Sequence, residues 1–538
     1  MTALRAITGL VVLYVCTIAA WAEAARVRPE FQVNTFTTAY QATPSLGVAG
    51  NGNFVVVWES DGQDGSYSGI FARRFATSGA PLDTAEFLVN TFTTSYQDFP
   101  SVGVAPSGDF IVAWTSLGQD GSYGGIFARR FASSGVPLDT ADFQVNTYVT
   151  GHQAGPSVGV ADTGDFVVAW RSDDQDGSGA GILARRFTSS GVPLDMTEFQ
   201  VNTFTTSNQI EPSVGVAPSG DFVVVWMSLL QDGSYSGIFA RRFDTAGSPL
   251  DTAEFQVNTF STGYQVEPSV GVADSGDFAV TWMSYDQDGS AWGVFARRFD
   301  SSGVALDTAE FQVNTYTTSS QIAPSVGVAG SGGFVVAWTS DGQDGSDGGI
   351  FAREFDTAGS PLDTTEFQVN TYTTSSQDSL SVGFAPSGDF VVAWESDGQD
   401  GSGTGVFAQP FCADTDGDGL CDAKDIILTN PLDGGTVDCR TPGLRSSRPL
   451  ITWDKGNYDR FRVQVSWDPT FPKAERITSG DALLMGSQWK PDTDAWRRFC
   501  NNAGPDAFIR AFGVDLQRGK NHPLRTTFSN EVAASVLN

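Results

Sequence analysis

At 538 residues the chain is too long for one ordinary core, so several domains or one large repeat array are expected. A formal net charge of −31 weighs against nucleic acid as a partner. Residues 1–438 carry 16 Lys+Arg against 52 Asp+Glu, whereas 439–538 carry 15 against 10, and no lysine precedes Lys424. Such a step in composition marks a domain boundary.

In chain order, Arg5, the apolar run AITGLVVLYVCTIAA and the small-x-small site Ala22-Glu23-Ala24 read as a secretory signal over residues 1–24. The run is too short for a comfortable membrane span. Cys16 as a lipid anchor has poor neighbours in Tyr14 and Val15. The mature chain is therefore expected to be exported (periplasmic, cell-surface or extracellular), without a transmembrane anchor, and monomeric.

The phrase (E/D)F(Q/L)VNT then recurs at Glu30, Glu86, Asp142, Glu198, Glu254, Glu310 and Glu366, a constant step of 56 residues. Trp58, Trp114, Trp170, Trp226, Trp282, Trp338 and Trp394 keep the same step. Each copy holds four strand-like phrases, FQVNT, PSLGVA, FVVVWES and GIFARRF in the first, separated by Gly- and Asp-rich turns. The pattern predicts an all-β, seven-bladed β-propeller over residues 30–411. An open solenoid would want terminal caps that the chain does not offer. The array starts on FQVNT and ends on GVFAQPF, so the N-terminal strand is expected to complete blade seven and close the ring.

The identical residues have structural readings. PSVGVA suits a crowded innermost strand, and the tryptophans suit a core packed between blades. Arg73 and Arg74 are expected to pair with acidic groups of adjacent strands. The Asp of QDGS is a turn former that accepts backbone N–H bonds. Gln41 and its equivalents are expected to make a structural hydrogen bond.

Variation concentrates in two loops, the one after VNT and the hairpin after the tryptophan. In an up-and-down blade these lie at one end of the strands, so one face of the disc is diversified and the other uniform. Loops on a rigid scaffold carry binding. The candidate ligand residues are Tyr40, Tyr96, His152, Asn208, Glu211, Leu229, Leu230, Tyr264, Glu267, Tyr285 and Trp292, with Leu229, Leu230 and Trp292 expected to be exposed.

After the array, CADTDGDGLCDAKD places Asp414, Asp416, Asp418, Leu420 (through its carbonyl), Asp422 and Asp425 at positions 1, 3, 5, 7, 9 and 12 of a calcium loop, with Gly419 at the sharp turn. Ca²⁺ is the expected cofactor, bound in the linker 412–429. The expected disulfides are Cys412–Cys421 and Cys439–Cys500, one of three possible pairings. Residues 430–538, with RPLITWDKG, RFRVQVSWDP, AFIRAFGVD and FSNEVAASV, read as a separate β-sandwich with Trp453 as a core candidate.

The blade phrase VNT…Q…PSVGVA…DFVVAW…QDGS…GIFARRF resembles repeats of secreted bacterial propeller proteins described as calcium-binding or adhesin-like. The acidic loop resembles thrombospondin type 3 repeats, and less closely dockerins. The C-terminal segment resembles fibronectin type III or immunoglobulin-like domains. Two histidines in different parts of the chain, His152 and His522, disfavour a Ser-His-Asp site. The motifs repeat sevenfold, whereas catalysis needs one asymmetric cluster. The arginines are regular strand residues apart from Arg171. These points favour a non-enzymatic binding or adhesion protein for an extracellular glycan or protein. The alternatives are a glycan-active propeller enzyme and a purely structural surface protein.

Overall fold

The computed structural model describes residues 25–412 in full and, beyond them, only strand segments between 427 and 537. Residues 25–412 form seven antiparallel sheets and no helix. In blade 1 the strands run outward from Gln41–Val48 through Phe54–Asp61 and Ser68–Phe75 to Phe87–Leu88. The remaining blades repeat this order. The outermost strand is shorter than FQVNT suggests, for a local reason. Val89 N–H still bonds Ile70 O at 2.8 Å, but Asn90 then continues the ladder with its side chain, its Oδ1 accepting Ile70 N–H at 2.8 Å.

Ring closure is as expected. Phe31–Gln32 pairs with Ala408 and Phe407, and Val33 N–H bonds Val406 O. Ala25–Arg26 adds a further strand opposite Cys412 and Phe411. A repeated carboxylate clasp locks each junction. Glu86 accepts bonds from Thr35 N–H (2.9 Å), Phe36 N–H (2.7 Å) and Gln63 Nε2 (3.0 Å). Glu30 does the same for Tyr372 N–H (3.1 Å) and Gln399 Nε2 (2.9 Å), so the clasp also ties the N-terminal strand into blade 7.

Each core lies between two blades. Val55, Val57, Ile70 and Ala72 of blade 1 pack against Phe110, Trp114 and Phe127 of blade 2. The same arrangement at the closing junction sets Ala393 and Val406 against Trp58 and Phe75. The seven tryptophans are fully buried, as expected of core residues. At the axis the small residue is explained by distance: a Cβ on Gly103 would fall 2.5 Å from Val160 Cγ2 of the next innermost strand.

The arginine expectation needs correction. Arg74 pairs with Asp83, but Asp83 belongs to the turn that follows its own strand, and Arg74 Nη1 also donates to Ser133 O of the next blade. Arg73 binds main-chain carbonyls, Val33 O at 2.8 Å and Asp83 O at 3.2 Å. The turn Asp64 accepts Ser66 N–H at 3.0 Å, and buried Gln41 joins Asn34 to Thr38 O, both as expected.

The chain divides into two compact units, one of them Ala24–Ala413. In the other, strand Arg460–Ser466 pairs antiparallel with Asp506–Val514. Cys412 is disulfide-bonded. The signal segment, the calcium positions Asp414–Asp425, and Cys421, Cys439 and Cys500 lie outside the described residues. No helix among the described residues is long and apolar enough to cross a membrane.

Candidate functional site

The innermost strands carry an irregularity that the repeat phrase conceals. Ala42 faces Glu59 but Ser45 faces Val57, so one extra residue is inserted, a β-bulge. Every blade has the same slip. It places Thr43, Phe99, Gly155, Glu211, Glu267, Ala323 and Ser379 at φ between 47° and 60°. Only glycine adopts such a conformation without steric cost, and a non-glycine residue there stores on the order of 1 kcal/mol. The bulges occur at the diversified end of the strands. Because the seven innermost strands pack side by side around the axis, the bulges ring the channel mouth.

Three of the seven bulges are held from the preceding blade by the side chain that follows the repeated tryptophan. Glu395 Oε2 accepts Thr43 N–H at 3.1 Å, Glu59 Oε2 accepts Phe99 N–H at 3.3 Å, and Thr115 Oγ1 accepts Gly155 N–H at 3.1 Å. Around the ring this position reads Glu59, Thr115, Arg171, Met227, Met283, Thr339 and Glu395. It is the most varied position of an otherwise uniform strand. Looking only at loop tips misses it, although its variation is visible in the sequence.

Together these positions build an asymmetric carboxylate cluster. Burial, the Asp98 charge and the Asp61 charge push Glu59 up to about 7, against a bond from Phe99 N–H. Burial and the charges of Glu211 and Asp378 push Glu267 up to about 7 as well. Glu211 is raised by burial, with Arg171 opposing, and its Oε2 accepts Glu267 N–H at 2.9 Å. Glu395 is raised by burial and, further down, by Asp378 and Asp397. Glu211 and Glu267 are exposed by surface area although surrounding protein crowds them, so crowding raises them rather than exclusion from water. Asp378 is anchored by Thr339 Oγ1 at 3.0 Å and Ser379 N–H at 2.8 Å. Asp98 accepts Ser68 Oγ at 2.6 Å. Arg171 forms an ion pair with Asp173 at 3.1 Å. His152 is lowered by burial and by Arg171.

Of the candidate ligand residues, Glu211 and Glu267 belong to this mouth. Tyr40, Tyr96, Leu230, Tyr264 and Tyr285 are exposed on the same face, and His152 and Asn208 are half-buried there. Leu229 and Trp292 are less exposed than expected. Leu229 packs on the core between blades 4 and 5, and Trp292 packs on Tyr264 and Tyr285. The larger clefts, such as one of about 300 Å³ lined by Asp221, Arg242 and Ser301, lie on the uniform face and recur with the repeat. They are part of the architecture. Among the described residues no group of three or more His, Cys, Asp or Glu is arranged to hold a metal ion.

The expectation of a face without chemistry is corrected here. It rested on motifs that recur sevenfold, but each mouth carboxylate occurs in only two of the seven blades, and burial and neighbouring charges push Glu59 and Glu267 up to about 7. No family model and no curated protein matches the chain. Among solved structures, a protein of unknown function from Dyadobacter fermentans is similar with a TM-score of 0.46 at 10% identity, over 73% of this chain and 99% of that one. An α-L-arabinanase from Penicillium chrysogenum gives 0.39 at 15% identity, over 58% and 94%. The NanB sialidase of Streptococcus pneumoniae gives 0.38 at 9% identity, over 71% and 70%.

Proposed function

We propose that the channel mouth is the active site of a glycoside hydrolase. The observation that carries this reading is the carboxylate cluster on the innermost strands: Glu211 Oε2 accepts Glu267 N–H at 2.9 Å, and burial with the charges of Glu211 and Asp378 pushes Glu267 up to about 7. Glycoside hydrolysis needs one carboxyl that is protonated at working pH and a second carboxylate facing it. Glu267 supplies the proton to the leaving oxygen. Asp378, fixed by Thr339 and Ser379, activates water or stabilises the developing positive charge on the sugar. Glu267 sits on a strained bulge, φ 52°, and its carboxyl is held by a bond from Ala323 N–H of the next blade.

The test is turnover of a panel of neutral and acidic polysaccharides by the full chain. Glu267→Gln and Asp378→Asn should each lower kcat about 100-fold or more. Activity should fall as pH rises through about 7, where Glu267 loses its proton. A larger loss from Glu59→Gln than from Glu267→Gln would move the acid to the other side of the mouth. No turnover of any glycan would end the reading.

A further inference from the structure

We infer that two aromatic platforms on the carboxylate face hold a long, neutral polysaccharide across the mouth; this deepens the hydrolase reading and rests on it. The first platform is Tyr67 of blade 1 stacked on Tyr96 of blade 2, with centroids 4.6 Å apart. The second is Tyr235 of blade 4 stacked on Tyr264 of blade 5 at 4.7 Å, extended by Trp292 and by Tyr285 edge-on to Trp292 at 5.1 Å. These rings stay open to solvent although paired: Tyr67 is 60% exposed, Tyr96 40%, Tyr235 59%, Tyr264 41% and Tyr285 45%.

The pairing is not a property of the repeat. The same two positions hold Tyr123 and His152 between blades 2 and 3, which do not stack, Gly179 and Asn208 between blades 3 and 4, Ala291 and Ser320 between blades 5 and 6, Asp347 and Ser376 between blades 6 and 7, and Gly403 and Tyr40 between blades 7 and 1. Aromatic faces pair with the C–H faces of sugar rings, and each ring fixed in place loses little entropy on binding. The platforms stand three of seven steps apart around the ring, nearly opposite each other. Between them lies an open cleft of about 260 Å³ lined by Arg171, Asp173, Gly179, Asn208 and Ile210, with no aromatic in it. A chain resting on both platforms crosses the ring near its axis, beside which the innermost strands carry Glu211 and Glu267. The acidic mouth repels a polyanion, so the polymer is neutral.

The experiment measures binding and turnover separately on the full chain. The probes are arabinan, xylan, mixed-linkage glucan and galactomannan, their short oligomers, and a polyuronate. Tyr67→Ala with Tyr96→Ala, and Tyr264→Ala with Trp292→Ala, should each weaken binding of a long neutral polymer at least tenfold. Turnover of a short oligomer should be unchanged. Tyr123→Ala, at an exposed ring outside both stacks, should change neither, and matching melting curves show that the variants fold. Equal losses for long and short substrates, no loss for either, or preferred binding of the polyuronate would overturn the inference. A ring that binds polymer through these aromatics but cleaves nothing would end the hydrolase reading alone. A ring that cleaves glycans but ignores both substitutions would end this one alone.

Discussion

The two sets of carboxylates are tuned in opposite directions. Clasp residues such as Glu86 and Glu310 would be raised by burial, yet the bonds they accept from threonine hydroxyls and backbone N–H groups hold them below the usual range. Their contribution to stability is present above the unfolded carboxylate pKa and is lost as pH falls through their folded values. Glu59 behaves in reverse. Its folded value of about 7 lies above the ordinary 4.5, so its cost is absent below 4.5, grows between 4.5 and 7, and is complete above 7. Glu59→Gln should therefore stabilise the protein by on the order of 1–3 kcal/mol at pH 8 and by nothing at pH 4. Urea midpoints at the two pH values measure this, and an equal gain at both would contradict the assignment. The recurrence of the clasp glutamates and the burial of the tryptophans could be read from the repeat, because period and hydrophobicity are properties of one strand, but the clasp itself could not. Glu59 and Glu395 could not, because their role depends on which residue of the next blade comes opposite.

At the scale of the element, the innermost strand meets two demands. Its lower half must be thin enough for seven strands to share an axis, and its upper half must bulge to widen the mouth. Gly103 serves the first demand, with Val160 filling the space where a side chain would stand. Gly103→Ala should push the two strands apart and cost about 1–3 kcal/mol, measured as a lowered thermal or urea midpoint. No loss would mean that the axis is more loosely filled than described. PSVGVA announced the thin half plainly. The bulge was hidden because register is a relation between two strands, and a single strand's sequence shows no slip. Arg74 does pair with an acidic group, but its strand's sequence does not reveal that the group is Asp83, which folds back from the next turn to meet it.

At the scale of the whole molecule, blade 7 is built from both ends of the unit, with Phe31–Gln32 completing the edge left by Thr404–Cys412. Deleting residues 25–36 removes that strand and the Glu30 clasp, and should abolish cooperative melting or cause association through the bare edge. An unchanged, monomeric melting curve would contradict closure by this strand. The same construction has a consequence for assembly. The edge of blade 7 accepts a segment whose sequence is nearly that of six others in the chain, so a neighbouring molecule offers as good a match as the chain's own beginning. Refolding is thus a contest between self-closure and exchange of the first strand between two chains, and only the second depends on concentration. Dilute refolding should return monomeric rings, and concentrated refolding should return reciprocal dimers, distinguishable by light scattering, that separate only when unfolded.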